Sequence, residues 1–328
     1  MADHLTFRDM PLDEIDRNDR TYAIRFPFLT EKSEKWHSLT SSIRQVGLLH
    51  PPLIQKKRNG LFRIIDGFCR LKSAQFLEFI DLPVAILPAE IDAWQCWKAV
   101  VHSRQFGQPM NDVEIGVLLR KIKSGFELTH KELCRQVTSR FGMEISPKFA
   151  RELIALADLP NPCRELVTRE SLPLKTARLF SLFETDDQVR LVRFFDIFRF
   201  GRNKIRELLI FIEEICRRDE ILVPDLLDQI EKPATEETRS LPQLAESVRK
   251  KIHRMRFPIL SRHRERFDGF HSSLKLPPWI RLAAAPHFEN NYLETRFRFS
   301  SRKELEAILK KLEEIRRHPN LEMMLESI

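Results

Sequence analysis

Leu128-Thr129-His130-Lys131-Glu132-Leu133-Cys134-Arg135-Gln136-Val137, followed after Gly142 by Ser146-Pro147-Lys148-Phe149-Ala150-Arg151-Glu152-Leu153-Ile154-Ala155-Leu156-Ala157, is the stretch on which the fold turns. Thr129 with Glu132 three positions on is a capping box, so a helix is expected to start there. A turn is expected over residues 138–145, with Gly142 inside it. A second helix is expected from Ser146 to about Ala157, with Phe149, Ala150, Leu153, Ile154 and Leu156 apolar and Ser146, Lys148, Arg151 and Glu152 exposed early. Two short helices across a turn form a helix-turn-helix, in which the start of the second helix meets base edges in the major groove. Arg151 is the expected guanine contact and Ser146 and Lys148 the expected phosphate contacts, with Thr129 and Lys131 beside them on the first helix. Any helical hairpin shows this pattern. Lys131, Arg135, Arg140, Lys148 and Arg151 are also offset by Glu132, Glu144, Glu152 and Asp158, so local charge does not separate the two readings.

Outward from this pair, residues 92–230 keep helical periods broken by short connections, among them Leu159-Pro160-Asn161-Pro162 and Gly201, and read as an all-α domain. Residues 1–91 read as an α+β domain. Trp36, Leu39, Ile43 and Val46 sit at helical spacing before Gly47. Leu53-Ile54-Gln55-Lys56-Lys57 and Leu61-Phe62-Arg63-Ile64-Ile65 flank Asn59-Gly60, the signature of a hairpin with a type I′ turn. Residues 68–79 return to helical spacing, and Pro83-Val84-Ala85-Ile86-Leu87 is an expected strand. Residues 231–240 are polar and aperiodic, an expected linker. Residues 241–328 are expected to hold a basic helix and a small α/β unit. There Thr295-Arg296-Phe297-Arg298-Phe299 alternates as a strand. Ser300-Ser301 can cap a helix bearing Leu305, Ile308, Leu309, Leu312 and Ile315.

The 328-residue chain carries 55 Lys and Arg against 47 Asp and Glu, a net charge of +8, which suits a polyanionic partner without requiring one. Nine glycines argue against Gly-rich phosphate loops and flexible-linker proteins. The five cysteines are odd in number and form no CxxC pair, so neither a disulfide framework nor a zinc site is expected. The polar opening stretch lacks a signal-peptide pattern, and no apolar run nears the roughly 20 residues of a membrane span. The expectation is a cytoplasmic protein with no membrane partner. Between Arg249 and Arg266 eight Lys and Arg stand against Glu265 alone, a solvated helix face or a non-specific phosphate-binding surface.

Ile64-Ile65-Asp66-Gly67-Phe68-Cys69-Arg70-Leu71-Lys72-Ser73-Ala74 reads as a strand, a glycine corner and a helix start. Free N–H groups at such a start favour an anion, and Arg70 and Lys72 could add charge-assisted contacts. An ordinary strand-to-helix turn with solvated basic residues is the alternative.

These residues resemble the ParB/RepB/Spo0J partition family. Leu39-Thr40-Ser41-Ser42-Ile43-Arg44-Gln45-Val46-Gly47-Leu48-Leu49-His50-Pro51-Pro52-Leu53-Ile54 is similar to that family's helix ending in "SI…G…QP". Residues 66–74 resemble its GERRxRA box, with Gly67, Arg70 and Ala74 kept, Lys72 as a basic stand-in, and Phe68 and Cys69 where the family has Glu and Arg. Asn111-Asp112-Val113-Glu114 resembles "NPxE", Leu159-Pro160 the "LP" that ends the recognition helix, and Lys175-Thr176-Ala177-Arg178 the family's GHAR segment. The ordered likeness runs over residues 12–183. It implies a ParB/sulfiredoxin-like N-terminal domain, a helix-turn-helix on double-stranded DNA, a homodimer formed by the C-terminal unit, a partition ATPase as partner, and location on the nucleoid. It also implies CTP with Mg²⁺ at Gly47, Gly67, Arg70 and Lys72. The family's ENxxR box should fall at His102-Ser103-Arg104-Gln105-Phe106, where the Glu that would bind Mg²⁺ is missing. Sulfiredoxins of the same fold carry a catalytic Cys directly after the corner glycine; Cys69 lies one position further on, and a helix residue is its expected role. Partition or transcription control is thus the expected function. A CTPase or nuclease in the N-terminal domain is the alternative, with Asp66 the one carboxylate near the corner.

Overall fold

The computed structural model describes residues 5–26, 33–105, 109–235, 240–284, 292–319, 321, 322 and 325. Phe106 of the expected ENxxR position and residues 236–239 of the expected linker lie outside them. The chain forms two compact units, residues 1–197 with 201–206 and residues 198–200 with 207–328.

In the first unit a sheet is built from β1 (Thr6–Pro11), β2 (Ile15–Asp16), β3 (Leu53–Lys56), β4 (Phe62–Asp66) and β5 (Asp81–Leu87), with α1 (Glu34–Val46) and α2 (Phe68–Phe76) between strands. The spatial order is β1-β5-β3-β4-β2. β1/β5 and β3/β4 are antiparallel, whereas β3/β5 and β2/β4 are parallel. Met10, Ile15, Ile54, Phe62, Ile64, Leu71, Leu82 and Val84 form its core. The β3–β4 hairpin forms as expected, but its turn is not type I′. Gly60 alone in the turn takes a positive φ, +90°, while the Gly60 N–H donates to Lys57 O at 3.1 Å and the Lys57 N–H to Leu61 O at 2.7 Å. That is a type I turn closed by a glycine bulge, which spares Asn59 the left-handed region. α2 stops at Phe76, earlier than its spacing suggests, and Glu78 turns the chain at φ +59°.

Helices α3 (Ala93–Gln105), α4 (Asp112–Gly125), α5 (His130–Phe141), α6 (Pro147–Asp158), α7 (Asn161–Arg169), α8 (Leu174–Ala177) and α9 (Thr185–Ile197) complete this unit. The expected border at residue 91/92 therefore runs through a compact body. Buried Gln55 explains why: its Nε2 donates to Pro88 O at 3.2 Å and Ile91 O at 2.8 Å, tying the approach to α3 onto the sheet. α4 packs on α6 at Gly116, where an added Cβ would lie 2.0 Å from Leu153 O.

The second unit holds most of α10 (Arg202–Asp219), then α11 (Val223–Thr235), α12 (Leu241–Arg256), α13 (Pro258–Ser273), the antiparallel pair β6 (Ile280–Ala284) and β7 (Leu293–Phe297), and α14 (Arg302–Arg316). Residues 231–235, read as linker, are the last turn of α11. The expected 295–299 strand begins two residues earlier and pairs with β6, which sequence reading missed. Ser301 caps α14 by accepting from the Glu304 N–H at 3.2 Å. Phe267, Leu274 and Ile315 form a small core. Three members of the basic run form ion pairs: Arg249 binds Glu207 at 3.1 Å and Glu246 at 2.9 Å, Arg254 binds Glu265 at 3.4 Å, and Arg256 pairs with Glu214.

Candidate nucleic-acid interface and basic cleft

The α5–α6 pair is framed by its caps. The Glu132 N–H donates to Thr129 Oγ1 at 3.3 Å, and the Glu132 carboxylate accepts from the Thr129 N–H at 2.9 Å. The Thr129 hydroxyl, which donates to the Glu132 carboxylate at 2.7 Å, and then the Thr129 N–H hold that carboxyl below the usual carboxylate range. The Phe149 N–H donates to Ser146 Oγ at 3.2 Å, and Pro147 occupies the first helical position. Gly142 ends α5 at φ +69°, so the connection is residues 142–146, shorter than the expected 138–145. Thr129 and Ser146 are thus cap residues. α6 buries Ala150, Leu153, Leu156 and Ala157. Phe149, an apolar position in the first turn of α6, is 42% exposed.

Of the four acids that offset the pair's charge in sequence, three have partners in the fold and Glu144 stays exposed. Asp158 accepts from Arg120 at 2.8 Å and Glu152 from Arg178 at 2.8 Å, both donors standing outside α5 and α6. Glu132 is folded into its cap. Arg140 lies 4.6 Å over the Trp94 ring, itself stacked on Phe126. Lys131, Arg135, Lys148 and Arg151 are exposed and make no ion pair among the described residues. Burial, then Lys123 and Arg151, hold the His130 imidazole below its usual value.

The glycine corner opens into a cleft of about 940 Å³. Gly67 adopts φ +101°, and an added Cβ would sit 2.9 Å from Pro52. Arg70 also lines the cleft, but its guanidinium braces the corner, donating to His50 O at 2.6 Å and Asp66 at 3.0 Å. Of the expected nucleotide residues, Gly67 and Arg70 reach the cleft. Gly47 does not; it ends α1 at φ +71°. Lys72 does not either; its ammonium lies 5.0 Å over the Trp36 ring. Arg25, Lys35 and Arg104 join the lining instead. Of these only Arg104 carried a sequence signal, its place in the degenerate ENxxR segment. Among the described residues no group of three or more His, Cys, Asp or Glu is placed to hold a metal. Asp66, the one carboxylate among the described residues that line the cleft, is paired with Arg70, so this donor set does not fit Mg²⁺. Cys69 lines the same cleft, partly buried.

The cleft wall at residues 22–25 is pinned to the helical part. The Phe26 N–H donates to buried Glu114 Oε1 at 3.0 Å, and Asn111 Nδ2 donates to Phe26 O at 2.9 Å. The same two residues form the capping box of α4, and Arg164 lies 4.7 Å over the Phe26 ring. Lys121 donates to the carbonyls of Arg20 and Thr21, and burial pushes its amine down to about 8.

No family profile matches the chain. It is 23% identical over 170 residues to the probable chromosome-partitioning protein ParB of Chlamydia trachomatis, covering 51% of this chain and 58% of that one. It is 28% identical over 173 residues to the chromosome-partitioning protein ParB of Myxococcus xanthus, covering 52% of each. The match thus spans about half the length of these curated relatives. The C-terminally truncated ParB of Caulobacter crescentus, complexed to the centromeric parS site, overlaps loosely, with a TM-score of 0.30 at 19% identity over 62% of this chain and 98% of that one. Among the described residues no helix is long and apolar enough to cross a membrane. The curated matches and the ordered motifs from the glycine corner to the α8 segment point the same way: over about half its length the chain is similar to ParB proteins.

Proposed function

We propose that the chain binds a specific double-stranded DNA site through α6 and acts in chromosome or plasmid partition, or in transcription control. The observation that carries this reading is the fate of the charges on α5 and α6. The carboxylates Glu132, Glu152 and Asp158 have partners within the protein, and Lys131, Arg135, Lys148 and Arg151 are left facing outward. A homodimer joined through β6, β7 and α14 would place one α5–α6 pair on each half of a palindrome. A partition ATPase is the protein partner this role calls for, and the nucleoid its place of action. Selection from a random duplex library, followed by a salt titration, tests it. One palindromic site should emerge, with log affinity falling linearly against log salt. No enrichment together with a flat salt response would remove the reading.

A second reading concerns the cleft. Arg25, Lys35, Arg70 and Arg104 around Gly67 and the start of α2 suit a polyphosphate, and CTP is the nucleotide the family resemblance implies. Calorimetry with CTP, with and without Mg²⁺, tests it. Binding heat that disappears in Gly67→Ser supports a nucleotide-controlled clamp; no heat in the wild type leaves the domain as a scaffold.

A further inference from the structure

Arg178 belongs to neither helix of the pair, yet it reaches the exposed face of α6. Its Nη1 donates to Glu152 Oε1 at 2.8 Å, while the Arg178 side chain is 55% exposed and that of Glu152 21%. The backbone that presents it is held fast. Thr176 and Ala177 just before it are buried, and Phe180 just after it is fully buried. Glu152 stands one turn beyond Lys148 and next to Arg151, on the side of α6 away from Ala150, Leu153 and Ala157. A bare carboxylate there would repel a phosphate backbone. Pairing with Arg178 removes that repulsion and brings a planar fork of donors to the same place. With Nη1 held by Glu152, the Nε and Nη2 edge has no partner among the described residues and keeps the spacing that fits guanine O6 and N7. A phosphate contact needs no such orientation; a base contact does.

We propose that Arg178 is a specificity-determining residue that reads a guanine in each half-site, with Glu152 as its positioning residue. This rests on α6 being the DNA-reading helix. The test runs the wild-type, Arg178→Ala, Arg178→Lys and Glu152→Gln chains through the same random-duplex selection. The wild type should enrich a site with a guanine in each half at which both Arg178 variants lose their preference. Affinity of the Arg178 variants for the wild-type duplex should fall about ten- to hundredfold. Arg178→Lys keeps the charge and loses the fork, so its failure separates base reading from charge or folding effects. Glu152→Gln should keep the guanine with a smaller loss. An unchanged preference in Arg178→Ala overturns the proposal. So does a loss equal for all sequences with a reduced salt slope, which marks a phosphate contact. If the wild type enriches no duplex, the DNA reading itself fails and the proposal falls with it; enrichment with no Arg178 effect fails the proposal alone.

Discussion

Lys148 and Arg151 are exposed side chains on one helix with different expected roles, and the difference is measurable. Lys148→Ala should weaken DNA binding about equally for all sequences and lower the salt slope by about 1. Arg151→Ala should cost about 1–3 kcal/mol on the selected site and relax the preference at one position per half-site. Thr129 and Ser146 behave otherwise, because their oxygens cap helices. Replacing either by Ala should cost about 1 kcal/mol of folding stability, seen as a lower melting temperature with no DNA present. Lys121 gives a pH signature. Its amine falls to about 8 in the folded protein from an ordinary 10.5. Between those values the unfolded chain binds the extra proton, so stability rises with pH across that window. Denaturant titrations from pH 7.5 to 10 should show the rise in the wild type and a flatter profile in Lys121→Met.

Among elements, α4 and α6 meet with no room for a side chain at Gly116. Gly116→Ala places a methyl within 2.0 Å of Leu153 O, so the helices must shift, at about 1–3 kcal/mol in urea unfolding. α5 and α6 were legible because their signals are local: a capping box, a glycine stop, and Ser-Pro at a helix start. The helical part of the glycine corner was legible for the same reason. β1 was not, because most of its residues are exposed and its strand state comes from pairing with β5 far along the chain. β6 was missed too; its strand state comes from pairing with the next strand, β7, with Ile280 opposite Phe297 and Ala284 opposite Leu293. At the candidate sites, residue types were readable but their partners were not. Nothing in the sequence pairs Glu152 with Arg178, or sends Lys72 to Trp36 rather than into the cleft. Those outcomes depend on where separate elements meet.

At the scale of the whole molecule, the folded units cut across the domain borders that composition suggests. Fusing the sheet and α3–α9 into one unit couples the stability of the cleft to that of α5 and α6. Glu114 is where the coupling is tightest, since one buried carboxylate serves both the α4 cap and the Phe26 backbone. Glu114→Gln keeps the shape but loses an acceptor. It should destabilise the unit by about 1–3 kcal/mol, measurable by denaturant unfolding monitored at the tryptophans. The Phe26 clasp also limits how the protein can be cut. A fragment beginning at residue 92 would carry α5 and α6 complete in sequence, yet leave Glu114 a buried acid without the backbone that satisfies it. The α5–α6 pair is therefore not a transplantable cassette; its smallest portable form begins upstream of Phe26.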